Sequence, residues 1–318
     1  MHTRPLADLR AADEDRFGGK SASLGELIAA GIPVPPGFGV AATAFEAGGF
    51  PVDDPEAARA AIQVAAVPDE VRDELTAAYR ALGDAEAPVA VRSSAIGEDS
   101  AEATFAGQQD TFLWVRGAER VCEAVRDCWA SLFSPEAISY RARLGGSRPP
   151  AMGVTVQRMV DAEVSGVMFT CNPLTGDPST VAINASWGLG LAVVGGEVTP
   201  DEYRVSKVTG EVLHRSIGPK QIEYVAGEAG PERSDVPPER RDVPCLDESA
   251  LAALVEVGRR VERHFGGPQD IEWALARDGE LHLLQSRPVT VKQAKTQPAA
   301  KSAIELVMNT FSARTDRP

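Results

Sequence analysis

With 318 residues the chain has room for one large or two small domains, and 43% apolar and 25% charged residues is the composition of a soluble globular protein. A net charge of −14 argues against nucleic acid as a partner, although a small anionic ligand needs only a local nest of positive charge and N–H groups. No apolar run approaches a membrane span, the N-terminus MHTRPLADLR lacks a signal-peptide core, and Cys122, Cys128, Cys171 and Cys245 form no CxxC pair, so a cytoplasmic location, no membrane partner and buried thiols are expected.

In chain order, residues 16–30 (RFGGKSASLGELIAA) predict a glycine turn entering a short helix, with Leu24, Leu27 and Ile28 on one face. GIPVPPGFGV excludes helix through its prolines. Residues 56–82 are helical in pattern, with a break at Pro68, and APVAVRSSA is an apolar strand running into polar residues. GEDSAEATFAGQQD is a long loop of small residues, followed by a strand, TFLWV. Helical periodicity returns over 119–144, interrupted near Ser134-Pro135, where the serine can cap a new helix. Short strands follow in MGVTVQRMV, AEVSGVMFTCNP and TVAINASW, then a glycine-rich stretch and GEVLHRSI. Residues 226–246 lack periodicity and predict a loop, whereas 249–265 form an amphipathic helix stopped by Gly266-Gly267-Pro268. Short strands mixed with separated helices predict an α+β fold rather than a regularly alternating parallel sheet.

The last periodic segment is DIEWALARDGELHLLQSRP, residues 270–288. Asp278-Gly279 favours a two-residue type I′ turn, which places Glu272 opposite Gln285, Asp270 opposite Arg287 and Trp273 opposite Leu284. Side chains alternate faces along a strand, so Asp270, Glu272, Gln285 and Arg287 gather on one side, while Ile271, Trp273, Leu275 and Leu284 point the other way. A solvated face with a cross-strand ion pair is one reading. A Mg²⁺ site is the other, because carboxylates two positions apart lie about 6.5–7 Å from each other along the backbone and such ions take oxygen ligands completed by phosphate. His2, His214, His264 and His282 have no metal-ligand spacing, which argues against zinc.

Upstream, FGGKS is not a P-loop, since that motif requires glycine where Glu14 stands. Lys20 still sits at a glycine-flanked helix start, where N–H groups favour anions, although a structural turn accounts for it equally. Arg92 ends a strand and opens the loop with Ser93, Ser94, Gly97, Thr104 and Gly107, whose small residues let backbone N–H groups approach phosphate, or simply make a plain loop. Together, Lys20, Arg92, the glycine loop and the acidic hairpin supply what a nucleoside triphosphate needs: cations and N–H groups for phosphate, carboxylates for Mg²⁺, and apolar strands for a base.

Between residues 16 and 292 the chain resembles the N-terminal nucleotide-binding domain of the phosphoenolpyruvate synthase, pyruvate phosphate dikinase and rifampicin phosphotransferase family. The resemblance rests on GGKSASLGEL, GIPVPPGF, VRSSAIGEDS…TFAGQQDTFL, AISYR, VQRMV…EVSGVMFTCNPLTG, VTPDEY and DIEW…LQSRP, in that order. It implies an ATP-grasp-like fold in which two subdomains clamp ATP: residues 1–155 with the phosphate-binding loop, 156–292 with the metal and phosphate hairpin, and 293–318 as a linker or tail. It further implies that Lys20 and Arg92 contact phosphates under a loop including Thr104, Gly107 and Gln108. Backbone groups of Gln157, Met159 and Val160 would read the adenine edge. Glu272 and Gln285 would hold Mg²⁺ and phosphate, with Arg287 adding charge and Asp270 supporting.

Family enzymes convert ATP to AMP and phosphate through a phosphohistidine. Their GG-x-T-x-H type histidine motif has no counterpart in these residues, so a swivelling phosphohistidine domain, on this protein or a separate one, and a small-molecule phosphoryl acceptor are the implied partners. Leu191 stands where the family usually has Glu in GLGE. Two alternatives stay open: a non-catalytic nucleotide-binding regulatory module, and an ATP-grasp ligase that releases ADP.

Overall fold

The computed structural model describes residues 1–50, 52, 54–96, 111–135, 137–139, 151–227 and 230–289. In chain order these form β1 (Thr3–Pro5), α1 (Glu14–Phe17), α2 (Gly19–Ala29), β2 (Gly37–Val40), α3 (Ala42–Ala47), α4 (Pro55–Val64), α5 (Asp69–Arg80), β3 (Val89–Ala95), β4 (Thr111–Val115), α6 (Ala118–Ser131) and β5 (Met152–Arg158). The second half holds β6 (Ala162–Phe169), β7 (Thr180–Trp187), α7 (Leu191–Val194), β8 (Asp201–Ser206), β9 (Val212–Ser216), β10 (Ile222–Ala226), β11 (Pro231–Asp235), α8 (Pro238–Arg241), α9 (Glu248–Phe265), β12 (Gln269–Ala276) and β13 (Leu281–Pro288).

Local chemistry explains the boundaries. Asp54 caps α4, its Oδ1 accepting the N–H groups of Glu56 and Ala57 at 3.1 and 3.2 Å, with Pro55 occupying a first-turn position that needs no donor. The expected break at Pro68 separates α4 from α5. Asp247 caps α9 through Ala250, and Gly266 ends it in the left-handed conformation (φ 73°). Ser134 accepts the Ala137 N–H at 3.1 Å, as its capping role requires.

All pairings within the two main sheets are antiparallel, which bears out the α+β expectation. The first sheet runs β1-β2-β5-β3-β4, and the second runs β13-β12-β6-β7-β8-β9. One core lies beneath the first sheet, where Phe38, Val91 and Val156 meet Phe45, Ile62, Tyr79 and Trp129 from the helices. Another joins the second sheet to α9 and α2, packing Ile183, Ile271, Trp273 and Leu283 with Leu254, Val261, Leu24 and Leu27. A third, small cluster of Trp114, Ala162, Leu189 and Ala274 sits beside Met159, Val160 and Leu284. The two sheets close on one cleft, lined by Ala90, Arg92 and Gln157 of the first and Gly166, Glu272 and Gln285 of the second.

The sequence-based reading fails first in the segment 226–246, where a strand and α8 (Pro238–Arg241) form, and again in the final hairpin. Pro231–Asp235, expected to be loop, is a strand paired antiparallel to β10. Its residues are polar and mostly exposed, so no apolar alternation marks it. The second departure, in the register of the final hairpin, belongs to the site. The second sheet is also anchored by a wholly buried ion pair. Lys220 Nζ donates to Asp201 Oδ1 at 2.5 Å, and the same carboxylate accepts the N–H groups of Gly218 and Cys245 and the Tyr203 hydroxyl. Among the described residues no helix is long and apolar enough to cross a membrane.

Candidate functional site

The hairpin that carries the acidic face closes through three residues rather than two. Ala276 N–H donates to Glu280 O and Gly279 N–H to Ala276 O, both at 2.9 Å. Gly279 adopts φ 85°, the left-handed position that follows a type I turn in such loops. Trp273 therefore faces Leu283, not Leu284. A bulge between Glu272 and Trp273 then absorbs one extra residue, so Glu272 pairs with Gln285 and Asp270 with Arg287, as expected. The bulge also turns Leu284 away from the core: Leu283 is fully buried with Ile271 and Trp273, whereas Leu284 lines the cleft.

Across from the hairpin stands β3. Val89 and Val91 point into the core and the alternate residues Ala90 and Arg92 into the cleft, as strand periodicity dictates. The guanidinium of Arg92 spans both hairpin strands. Its Nη2 meets Glu272 Oε2 at 3.1 Å, and its Nη1 donates to Gln285 Oε1 and to the Leu284 carbonyl, each at 3.3 Å. Arg92 Nε is buried without a partner among the described residues. Lys20, in the first turn of α2, lines the same cleft.

A cavity of about 200 Å³ lies in the cleft and opens to solvent. Its polar lining comprises Lys20, Arg92, Thr111, Gln157, Arg158, Ser165, Glu272 and Gln285, of which Arg92, Glu272 and Gln285 meet one another. Met159, Val160, Ala162, Leu189, Ala274 and Leu284 form one apolar cluster in the lining, to which Leu191 adds. Gln157 is 2% exposed and its Nε2 has no partner among the described residues, so a donor faces the cleft unsatisfied. Met159 N–H donates to the Pro88 carbonyl at 2.9 Å, so of its two backbone groups the carbonyl is the one that could read a base. Leu191 opens α7 and adds an apolar surface where the family's acid would stand.

Asp270 and Arg287 do not line the cleft. They pair with each other instead, Arg287 Nε and Nη2 reaching Asp270 Oδ2 at 2.9 and 2.8 Å. Burial pushes the Asp270 carboxyl above the usual aspartate range, partly opposed by Arg287. Thr104, Gly107 and Gln108 lie outside the described residues. His2, Glu70 and Glu74 bring ligand-type atoms within 4.8 Å of one another at the surface, a grouping invisible in their spacing, although Glu74 already accepts the N–H groups of His2 and Thr3.

The oxygens of Glu272 and Gln285 are hard donors of the type magnesium takes, on adjacent strands, and both accept from Arg92. Sequence reasoning put Ser94 in a loop opened by Arg92, whereas β3 runs on to Ala95 and holds Ser94 within the strand. Its Oγ accepts the Lys20 N–H at 3.1 Å, a contact between residues 74 positions apart with no local signature.

Comparison with known proteins adds the following. The family described as pyruvate phosphate dikinase, AMP/ATP-binding domain, matches residues 53–307. A probable phosphoenolpyruvate synthase of Methanothermobacter thermautotrophicus is 43% identical over 93% of this chain and 47% of its own length. The phosphoenolpyruvate synthase of Pyrococcus furiosus is 37% identical over 94% of this chain and 45% of its own. A rifampicin phosphotransferase of a Streptomyces species is 44% identical over 90% and 35%, respectively. The chain thus spans less than half the length of these relatives. Among solved structures, D-alanyl-alanine synthetase A of Vibrio cholerae is 12% identical with a TM-score of 0.37, covering 95% of this chain and 66% of that one.

Proposed function

The chain belongs to the family of the pyruvate phosphate dikinase AMP/ATP-binding domain, and on that premise we propose that it binds Mg-ATP between its two sheets as the nucleotide-handling half of a dikinase-type phosphotransferase. The observation that carries this is one cleft whose lining combines charged groups, Lys20 and the Arg92–Glu272–Gln285 set, with the apolar cluster of Met159, Val160 and Leu189. A nucleoside triphosphate has the same two-part chemistry.

In this reading the adenine packs on the apolar wall beside Gln157, whose unsatisfied amide donates to it. The phosphates lie against Lys20 and Arg92. Glu272 and Gln285 would hold Mg²⁺, which supplies neutralisation of phosphate-oxygen charge when bound. Arg92 keeps both ligands in place through its fork, and the Arg287–Asp270 pair braces the hairpin beside them. By resemblance we assign Thr104, Gly107 and Gln108 to the loop that closes over the phosphates. Fixed cations aimed at developing charge stabilise the transition state of phosphoryl transfer.

One phosphoryl group would pass to a histidine on another domain or chain and on to a small-molecule acceptor, while water takes the other as free phosphate and AMP is left. The test is ³¹P NMR of the chain with Mg-ATP, alone and with a phosphohistidine domain from a relative. AMP and phosphate formed only with the added domain are expected. ADP as the product would favour ligase chemistry. ATP binding without turnover in either sample would favour a regulatory module, the reading that the apolar Leu191 supports.

A further inference from the structure

Helix α2 begins without a capping side chain of its own. Its N-cap is Gly18, with φ 79°, and no side chain there can accept the first-turn N–H groups. Ser94 supplies the acceptor from outside the helix. Its Oγ accepts the Lys20 N–H at 3.1 Å and the Ser21 N–H at 3.4 Å. Ser94 is fully buried and lies on β3 two positions beyond Arg92. The approach is so close that a Cβ at Gly18 would stand 2.1 Å from the Ser94 carbonyl oxygen. Two further hydroxyls secure the helix: Ser21 Oγ meets Thr155 Oγ1 of β5 at 2.7 Å, and Ser23 Oγ donates to the Ser286 carbonyl of β13 at 2.8 Å. The helix that carries Lys20 is therefore held to the strand that carries Arg92 and to the strand that carries Gln285.

We propose that Ser94 is a positioning residue: by capping α2 across the fold it sets the separation of Lys20 and Arg92, and so favours ligands with several phosphates over a monophosphate. The proposal rests on the nucleotide-site reading above. Two cations held at a fixed spacing can engage successive phosphates together, whereas a monophosphate offers a single group. A cap with only a structural role would affect both ligand classes alike.

Titration calorimetry with Mg-ATP and with AMP tests this on wild type, Ser94→Ala, Ser94→Cys, Lys20→Ala and the Ser94→Ala/Lys20→Ala double variant. Ser94→Ala is expected to weaken ATP binding about tenfold, the low end of one lost charge-assisted phosphate contact, while AMP affinity stays within about twofold. Ser94→Cys keeps the volume with a poorer acceptor and should fall between, and AMP binding reports that each variant is folded. Without Lys20, removing the Ser94 hydroxyl should cost ATP affinity less than about twofold, because the two changes act through one contact. Equal weakening of ATP and AMP, an unchanged ATP affinity, or a full penalty in the double variant would overturn the positioning role. Wild-type protein that binds neither nucleotide would instead overturn the site reading beneath it.

Discussion

Replacing Arg92 separates its contribution to folding from its contribution to the ligand. The guanidinium is 14% exposed and its partner Glu272 is 27% exposed. An ion pair so near solvent contributes about 1 kcal/mol or less to stability. The contacts to Gln285 Oε1 and the Leu284 carbonyl, at 3.3 Å, lie just beyond the usual hydrogen-bond range and add little. Arg92→Ala should therefore leave the urea midpoint within the shift that about 1–1.5 kcal/mol produces. Its effect on Mg-ATP should be larger. One charge-assisted phosphate contact contributes about 1.5–3 kcal/mol, roughly a tenfold to hundredfold loss of affinity. Arg92→Lys should recover only part of this, because an ammonium cannot bridge Glu272 and Gln285 as a planar fork does. Calorimetric titration alongside urea unfolding measures both quantities. Affinity within twofold of wild type, or a binding loss no greater than the stability loss, would refute the placement of Arg92 on the phosphates.

Lys220→Met should destabilise the fold by about 3–5 kcal/mol in urea unfolding, because it leaves the Asp201 carboxylate fully buried with neutral donors only; a cost below 1 kcal/mol would contradict the geometry. All four cysteines are buried, and burial raises the Cys122 thiol to about 11, so a disulfide reagent should label less than one thiol per native chain and four after denaturation. Prompt labelling of two or more in native protein would show the core to be open. For Asp270, whose carboxyl is raised by burial, the protonated form is favoured in the folded state. Its contribution to stability is thus fully present below the ordinary aspartate range and lost as pH rises through the raised value. Wild-type stability relative to Asp270→Asn should fall over that window, and a rise would reverse the assignment.

Much of the site is legible in the linear chain because it depends on short-range rules. Alternation along β12 and β13 places Glu272 with Gln285 and Asp270 with Arg287, and the structure keeps both pairs. They hold for a reason that the alternation does not contain. The three-residue turn shifts the register by one, and the bulge at Leu284 shifts it back before the site is reached. Neither irregularity has a composition signal of its own; Asp-Gly suits both turn lengths. The strand at Pro231–Asp235 escaped for a related reason, since an exposed polar ribbon has no apolar face to betray its period.

The sequence by itself determined the helices through their caps and apolar stripes, the α+β class through short strands among separated helices, and the residue types needed for a phosphate and metal wall. Family resemblance ordered those residues into one site. Only the tertiary structure decided which of them share the cleft. It brought Lys20, Arg92, Glu272, Gln285 and Gln157 to one cleft and set the Asp270–Arg287 pair outside the lining. It also closed the α2 cap with a serine 74 residues away. Caps, turns and periodicity are set by neighbours within a few residues, whereas these contacts exist only once two sheets and a bridging helix have buried the surfaces between them.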